Sequence, residues 1–465
     1  MDEWENTGCR REGSNYPGSQ SLWLMLTNRA WMLLVACLLF GVARSSSAYS
    51  LLTHEELIDI LWKDQIEPLL LKRFPAATRD QLHQAHAYAY GGCLIQDLGY
   101  YPFGSKFFSD LTHYVRTGDL ITNLIRDSAD LDEYAFALGA LAHYSADNSG
   151  HPLVNRAVAL AFPKLRAKYG DTVTYEDNPR AHIQTEFGFD MTQVSKNRYT
   201  SDQYHDRIGF QVARPLLERA FLETYGLQLK EVLADVDLAI GSFRRAISQV
   251  IPEMTRAALT VYHPEEVKDK PSIDKKRFLY NLSRAEYEKE WGKDYRKPGS
   301  FERALGFILR WIPKIGVFKA LAFKIPTPEM EDLYFKSMNQ TVEKDRELLR
   351  QVAQGNLQFT NSDCDTGHAT RLGEYALADA TYTKLLDELF KRGFGRVPPA
   401  LRESLLGFYD GAAPPLRARK AQKAWRRTLA ELEVLRYAPG SEAEKALRPR
   451  LLRPARGLES PKAKP

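Results

Sequence analysis

Cysteine is scarce in this chain. The sequence has four cysteines in 465 residues and no CxxC pair, so a zinc site built from thiolates is excluded. Any metal must therefore be held by histidine and carboxylate side chains. Cys9 and Cys37 lie in an N-terminal segment that we expect to be removed, which leaves Cys93 and Cys364. Two cysteines in an oxidising compartment can form at most one disulfide bond.

Several common catalytic motifs are also absent. The chain has no P-loop, no GxSxG nucleophile elbow and no glycine-rich dinucleotide motif, which removes the commonest nucleotide-dependent and serine-hydrolase classes. A strong excess of charge is missing too, because 64 basic and 59 acidic residues leave a formal net charge of +5. That excess is too small to indicate nucleic-acid binding by itself. With 44% hydrophobic residues, the chain can still bury a real core in two or three domains.

An apolar segment near the N-terminus is typical of a signal peptide. The 14 residues 30–43 are almost uninterruptedly hydrophobic, follow Arg29 and precede small residues at Ser46 and Ala48. This run is too short to span a bilayer comfortably, and the small residues suit signal peptidase. We therefore predict cleavage near Ala48, a mature protein that begins at Tyr49, and secretion or export to the periplasm. An uncleaved membrane anchor is the alternative.

Helical periodicity dominates the sequence from residue 53 to about residue 261. Apolar residues recur at spacings of three and four, as in residues 134–141, and alternating strand patterns are nearly absent. The pattern predicts an all-α fold. We expect loops at clusters of glycine and proline, including Gly150-His151-Pro152.

A change in composition divides the chain into regions. After residue 262 the sequence becomes rich in Lys, Asp and Glu, which is typical of a linker or an exposed helical excursion. The predicted regions are a signal peptide at 1–48, a catalytic domain at 49–261, a charged linker or excursion at 262–300, a helical C-terminal region at 301–435 and a disordered basic tail at 436–465. In the C-terminal region we expect helices from about Met330 to Gln354, Arg371 to Arg392 and Leu401 to Leu435.

Two features of the C-terminal region have more than one interpretation. The segment from Phe301 to Ile325 combines aromatic and aliphatic residues with interspersed Arg and Lys, which is typical of basic helices on a membrane surface. Two ordinary core helices separated at Pro313 are the alternative. The segment from Asp363 to His368 contains metal-capable side chains. We expect a solvated loop there, with calcium or zinc binding as the alternative.

Histidine and carboxylate residues are concentrated between positions 54 and 186, where seven of the ten histidines lie. His143 and Asp147 are four residues apart, and so are His182 and Glu186. In a helix each pair lies on one face and can bind a single ion. A lone pair of this kind is more often an ordinary ion pair. Two pairs in one domain, with His151 close behind Asp147, indicate a zinc centre built from imidazole and carboxylate.

In the order of these residue types, the sequence resembles the zinc-dependent phospholipase C family of secreted bacterial enzymes. That family shares its all-helical fold with the fungal single-strand-specific nucleases. The resemblance covers residues 49 to about 230. The matching order is amino terminus, His, Asp, His, His-x-x-x-Asp, His and His-x-x-x-Glu, which this chain supplies as Tyr49, His54, Asp97, His113, His143, Asp147, His151, His182 and Glu186.

The resemblance implies three zinc ions and assigns their ligands. The ligand sets are Asp97, His113, His143 and Asp147; His151, His182 and Glu186; and His54, Asp147 and the amine and carbonyl of Tyr49. Cleavage after Ala48 would create that amine, which titrates near 8 and gives up its proton readily to a metal. The family usually has Trp at the mature N-terminus. We also expect Gly150 and Pro152 to turn the chain away from the helix that carries Asp147.

The resemblance further implies hydrolysis of a phosphodiester bond without a covalent enzyme intermediate, with Asp97 as metal ligand and proton acceptor. The predicted substrate is a glycerophospholipid at a membrane surface, cleaved to diacylglycerol and a phosphorylated head group. Aromatic residues beside the ligands could contact a choline group or stack on a base, with ordinary packing as the alternative. These residues are Tyr100, Tyr101, Phe107 and Phe108.

Two other functions use the same residues. A single-strand-specific zinc nuclease would act on nucleic acid, and a non-catalytic lipid- or phosphate-binding protein would use zinc only to stabilise its fold. The metal ligands do not distinguish these alternatives from a phospholipase, and no motif indicates a protein partner.

Overall fold

The computed structural model describes residues 51–195, 208–251, 324–411 and 419–438. Within these ranges the chain is helical and has no β-strand. The nearest approach to one is an isolated antiparallel bridge between Ser362 and Ala369. The predicted all-α fold is confirmed. The predicted signal peptide, Tyr49 and nearly all of the basic apolar segment 301–325 lie outside the described residues.

The α-helices of the described ranges are numbered in chain order. They are α1 (Leu51–Leu61), α2 (Glu67–Arg73), α3 (Arg79–Gly92), α4 (Lys106–Tyr114), α5 (Thr117–Asp127), α6 (Leu131–Ala161), α7 (Pro163–Tyr169), α8 (Pro179–Ser195), α9 (Arg214–Tyr225), α10 (Val236–Arg245), α11 (Pro328–Ala353), α12 (Ala376–Lys391), α13 (Pro399–Phe408) and α14 (Arg419–Tyr437). Short π-helical turns at Trp62–Ile66 and Ala246–Val250 and 3-10 helices at Ile95–Tyr100 and Leu229–Glu231 adjoin them. None of these helices combines the length and hydrophobicity needed to span a bilayer.

Helix α6 is the central element of the fold and runs for 31 residues without a break. The predicted loop at Gly150-His151-Pro152 is wrong, because Pro152 lies inside this helix. The expected turn away from the helix that carries Asp147 is therefore wrong as well. Because α6 is continuous, His143, Asp147 and His151 follow one another at intervals of four residues on one helical face.

Distant segments pack against α6 at the point where its sequence favours a break. Pro152 lacks the N–H group that would donate to the carbonyl oxygen of Asn148. The backbone at Gly367 approaches this carbonyl so closely that a Cβ on Gly367 would lie 2.2 Å from the oxygen. Ser337 of α11 donates a hydrogen bond of 3.3 Å to the carbonyl oxygen of Gly150. Tertiary packing thus overrides the local propensity of these residues.

Helices α3 and α6 approach each other closely because glycines face the opposite backbone at two places. A Cβ on Gly139 of α6 would lie 2.1 Å from the carbonyl oxygen of Ala89. A Cβ on Gly92 of α3 would lie 2.0 Å from the carbonyl oxygen of Phe136. This approach places the C-terminal end of α3 beside the part of α6 that carries the metal-capable residues.

Replacement of Gly139 by alanine is expected to destabilise the protein. The added methyl group would force α3 and α6 apart, and overpacking of this kind costs about 1–3 kcal/mol. Denaturant unfolding should show a loss of about 2 kcal/mol or more in the free energy of unfolding. Gly241→Ala in α10 is a matched control, because a Cβ there has nothing within 4 Å and alanine is favoured in a helix by about 1 kcal/mol. Equal effects of the two substitutions would contradict the close approach.

The described C-terminal helices pack on the N-terminal ones. Helix α11 contacts α6, and α12 contacts α4. A single hydrophobic cluster includes Leu57 of α1, Leu141 of α6 and Leu349 of α11, all of them buried. The C-terminal region therefore contributes to the same core as the helices that carry the metal-capable residues.

Two of the three helices predicted in the C-terminal region are confirmed as α11 and α12. The third, from Leu401 to Leu435, is wrong as a single helix. Helix α13 ends at Phe408, and Gly411 has a φ of +67°. That left-handed conformation is readily available to glycine and is incompatible with a continuing α-helix.

Candidate metal centre

The predicted metal ligands converge in the interior of the helical domain. Among the described residues, three groups of side chains have ligand atoms within 4.8 Å of one another. The groups are His54, His143 and Asp147; Asp97, His113 and His143; and His151, His182 and Glu186. None of these eight residues is more than 5% exposed. The groups contain every predicted ligand except Tyr49, which lies outside the described residues.

Asp147 lies between the first two groups. Its Oδ2 atom is 3.2 Å from Nε2 of His143 and 3.4 Å from Nε2 of His113. Its Oδ1 atom is 3.7 Å from Nε2 of His54. The two carboxylate oxygens therefore face different imidazoles, as they must if one carboxylate is to bridge two cations a few ångströms apart.

The 3-10 helix that carries Asp97 is held against α4. The Ser109 hydroxyl donates to the carbonyl oxygen of Gln96 at 2.6 Å and accepts from the N–H of Gly99 at 3.0 Å. These bonds hold the backbone on both sides of Asp97. The Oδ1 atom of Asp97 lies 3.5 Å from Nε2 of His113 on α4.

Two imidazoles in the first groups are oriented by main-chain carbonyls. The Nδ1–H of His113 donates to the carbonyl oxygen of Ser109 at 2.7 Å, and the Nδ1–H of His143 donates to that of Cys93 at 2.9 Å. A ring that donates from one nitrogen presents the lone pair of the other, so Nε2 of both rings is available to a cation. The Cys93 carbonyl is at the end of α3, where the glycine contact brings α3 against α6.

The third group combines α6 and α8. Nδ1 of His182 is 2.7 Å from Oε1 of Glu186, and Nε2 of His151 is 3.7 Å from the same oxygen. The other ring nitrogens donate hydrogen bonds outward, from His151 to the carbonyl oxygen of Cys364 and from His182 to Oδ1 of Asn155 at 2.7 Å. Both rings therefore present a lone pair toward Glu186.

Buried polar atoms without a hydrogen-bond partner point into these groups. Among the described residues they include Oδ1 of Asp97, both carboxylate oxygens of Asp147, Nε2 of His151, Nδ1 of His182 and Oε1 of Glu186. An unsatisfied buried polar group costs about 1–3 kcal/mol, and more when it is charged. A divalent cation would satisfy imidazole nitrogens and carboxylate oxygens together, and this donor set suits zinc. The residues present therefore fit the metal that the sequence predicts.

The charges of the site favour a cation as well. Burial raises the pKa of Asp147, but His143 and His151 outweigh it and hold this pKa well below its usual range. Burial lowers the pKa of His113, yet the carboxylates of Asp147 and Asp97, 3.4 Å and 3.5 Å from its Nε2, raise it to about 10. Carboxylates that attract protons to buried imidazoles this strongly also attract divalent cations, which displace those protons on binding.

The two cysteines of the helical domain and C-terminal region are unpaired in this structure. Cys93 and Cys364 are both buried, and burial raises the pKa of each thiol well above its usual range. Their thiols belong to none of the three groups. Their contribution to the site is the main-chain carbonyl that each provides to a histidine.

The predicted aromatic contacts lie in different surroundings. The ring of Tyr100 is 6.0 Å from that of His113, and Tyr100 is 3% exposed. Tyr101 is half-buried, with its ring 4.9 Å from that of Phe243. Tyr100 therefore lies beside a metal-capable residue.

The two predicted phenylalanines belong to the hydrophobic core. Phe108 has no exposed surface and its ring stacks on that of Phe221 at 5.4 Å. Phe107 is 7% exposed, and Nζ of Lys384 lies 4.1 Å from its ring centre. Ordinary packing, the alternative that the sequence left open, accounts for Phe108.

Asn155 and Asp365 contact histidines of the third group and were not predicted from the sequence. Asn155 is four residues after His151 on α6, so helical spacing could have placed it on the same face. The Asp363–His368 segment was expected to be a solvated loop, but Asp363, Cys364 and Asp365 are buried, Asp365 completely. The expectation is wrong for this half of the loop, because it packs against α6.

Comparison with known families agrees with the site. Residues 53–235 match the family model described as zinc dependent phospholipase C. This match confirms the resemblance to the zinc-dependent phospholipase C family seen in the sequence. The match includes all eight described ligand candidates and ends before α10. No curated protein and no solved structure gave a significant match to the chain.

Proposed function

We propose that this protein is a phospholipase C that uses three zinc ions to hydrolyse glycerophospholipids to diacylglycerol and a phosphorylated head group. The proposal rests chiefly on the position of Asp147, whose two oxygens face His54 on one side and His113 and His143 on the other. The third group supplies a separate set of ligands. The family match supports a lipid substrate rather than nucleic acid.

The proposed ligands follow the geometry of the groups. One zinc ion would be held by Asp97, His113 and His143 together with Asp147, and a second by His151, His182 and Glu186. A third would be held by His54, Asp147 and the amine and carbonyl of Tyr49. Export followed by cleavage after Ala48 would provide that amine at the location of the substrate membrane.

Zinc and the protein side chains have different roles in the proposed reaction. When bound, zinc would lower the pKa of a coordinated water toward 7 and neutralise phosphate oxygens. Asp97 has one carboxylate oxygen without a hydrogen-bond partner and is 5% exposed, which suits a group that accepts a proton from the attacking water. Four of the five histidines are held in one orientation by carbonyl or amide oxygens, so little reorganisation is needed during the reaction. They are His113, His143, His151 and His182.

Paired substrates test the proposal. Phosphatidylcholine vesicles and p-nitrophenylphosphorylcholine should be hydrolysed, a chelator should abolish the activity, and added zinc should restore it. Metal analysis should give a content near three zinc ions per chain. Single-stranded DNA is the competing substrate. Nuclease activity without lipid hydrolysis would contradict the phospholipase proposal and favour the nuclease alternative. Zinc binding with neither activity would favour the non-catalytic alternative.

A further inference from the structure

A turn in the C-terminal region, residues 362–369, reaches the third metal-capable group. The carbonyl oxygen of Cys364 accepts a hydrogen bond from Nδ1–H of His151, and Oδ1 of Asp365 is 3.3 Å from the same nitrogen. Asp365 is completely buried. These residues lie well beyond the family match, which ends at residue 235.

The same turn reaches His182 through Asn155. The carbonyl oxygen of Asp365 accepts from Nδ2–H of Asn155 at 2.9 Å. Because a carbonyl oxygen can only accept, this bond assigns the two ends of the Asn155 amide. Its Oδ1 must then accept from Nε2–H of His182, at 2.7 Å. His182 therefore presents the lone pair of Nδ1 to the site, where Oε1 of Glu186 is 2.7 Å away.

The carboxylate of Asp365 is oriented from its far side. The hydroxyls of Tyr114 and Tyr375 both donate to Oδ2, Tyr114 at 3.1 Å. Oδ1 has no hydrogen-bond partner of its own and faces His151. Two phenolic donors fix the orientation of this carboxylate, so that Oδ1 faces the ring nitrogen of His151 that points away from Glu186.

The turn is also anchored to α4 and α5. The N–H of Cys364 donates to the carbonyl oxygen of His113 at 3.0 Å. The hydroxyl of Thr117 donates to the carbonyl oxygen of Ser362 at 2.8 Å and accepts from the N–H of Ser362 at 3.0 Å. The turn therefore connects His113 in one metal-capable group with His151 in another.

We propose that this turn positions the His151, His182 and Glu186 group for metal binding, with Asp365 and Asn155 as the positioning residues. The inference rests on the proposed metal centre and adds a role for the C-terminal region. Asp365 holds His151 directly, and its carbonyl oxygen holds His182 through Asn155. The turn thus contributes to the affinity of one zinc ion without providing a ligand to it.

Zinc affinity tests this role independently of activity. Full-length mature protein carrying Asp365→Asn or Asn155→Ala would be dialysed against zinc buffered by chelators of graded strength, followed by metal analysis. One zinc ion per chain should bind about 10–100-fold more weakly, the usual effect of removing a partner that orients a metal ligand. The other two ions should keep their affinities. Asn155→Ala provides a second test if Asp365→Asn folds poorly.

Asp363→Asn is the matched control. Asp363 lies in the same turn and accepts from the N–H of Thr366 at 2.8 Å, but it does not contact His151. This variant should keep all zinc affinities within about two-fold, well short of the 10–100-fold effect. Equal losses in both aspartate variants, or none in Asp365→Asn and Asn155→Ala, would overturn the inference. A wild-type protein that binds no zinc would instead refute the proposed function.

Discussion

Replacement of Asp147 by asparagine should lower phosphodiester hydrolysis by about three orders of magnitude and remove up to two of the proposed three zinc ions. Asparagine keeps the shape of the side chain but loses the charge, and it can present only one oxygen. Asp147 is the carboxylate shared by the His54 group and the neighbourhood of His113 and His143. A single change therefore affects both cations.

The size of this effect follows from burial. Asp147 and the three histidines around it are at most 1% exposed, so solvent screens their interactions weakly. Removing one partner from a buried ionic network costs about 3–5 kcal/mol, which corresponds to two to four orders of magnitude in affinity. Metal analysis and initial rates with phosphatidylcholine vesicles would measure the two losses on the same preparation.

Asp59→Asn provides a control with similar chemistry. Asp59 is also a buried carboxylate, and its Oδ1 lies 3.0 Å from Nε2 of His86 and accepts from the Tyr90 hydroxyl at 2.6 Å. It belongs to none of the three groups. This variant should lose thermal stability but keep its zinc content and hydrolysis rate. If Asp147→Asn behaved like Asp59→Asn, Asp147 would not be a bridging ligand.

Helical spacing explains why part of the site could be predicted from the sequence. The pairs His143 with Asp147 and His182 with Glu186 each lie within one continuous helix. In a helix the relative position of residues i and i+4 depends only on local geometry. The sequence therefore determines that each pair shares a face, whatever the rest of the chain does. The convergence of the two pairs depends on tertiary packing, which helical spacing does not determine. It was predicted instead from the resemblance to a family.

The environment of His151 shows where local reasoning fails. Gly150 and Pro152 predict a break, because glycine lowers helix stability by about 1 kcal/mol and proline by about 3 kcal/mol. Helix α6 continues through both residues, with α11 and the turn at residues 362–369 packed against it. These segments follow it by about 200 positions. Their effect on α6 could not be read from its own sequence.

Asp365 could not be predicted for a related reason. An aspartate in a short loop beside threonine and glycine is usually solvated. Its burial depends on Tyr114 and Tyr375, which meet at Oδ2 only in the folded protein. By contrast, Asn155 follows His151 by one helical turn, so its position was accessible to the spacing argument that identified the ligand pairs.

A residue added before Tyr49 should remove one zinc ion and lower the rate of hydrolysis by about a hundred-fold or more. Loss of one group that stabilises charge in the transition state typically has an effect of this size. The proposed third ion requires a free amine, and an extension would convert that amine into an amide that cannot bind metal. The contacts at the start of α1 support a ligand at the mature amino terminus. The N–H of Leu52 and the hydroxyl of Thr53 donate to Asp190 at 2.9 Å and 2.7 Å, which anchors the chain just before His54.

Two preparations would separate the amine from other effects of processing. A tag removed so that Tyr49 is the first residue should give a content near three zinc ions, and a tag that leaves Gly-Ser before Tyr49 should give about two. The same two residues added at the C-terminus should change neither zinc content nor rate. Since His54 and Asp147 remain in every preparation, a fully active protein with the N-terminal extension would show that the third ion does not use the amine. The proposed link between export and assembly of the site would then be lost, while the other two zinc sites would be unaffected.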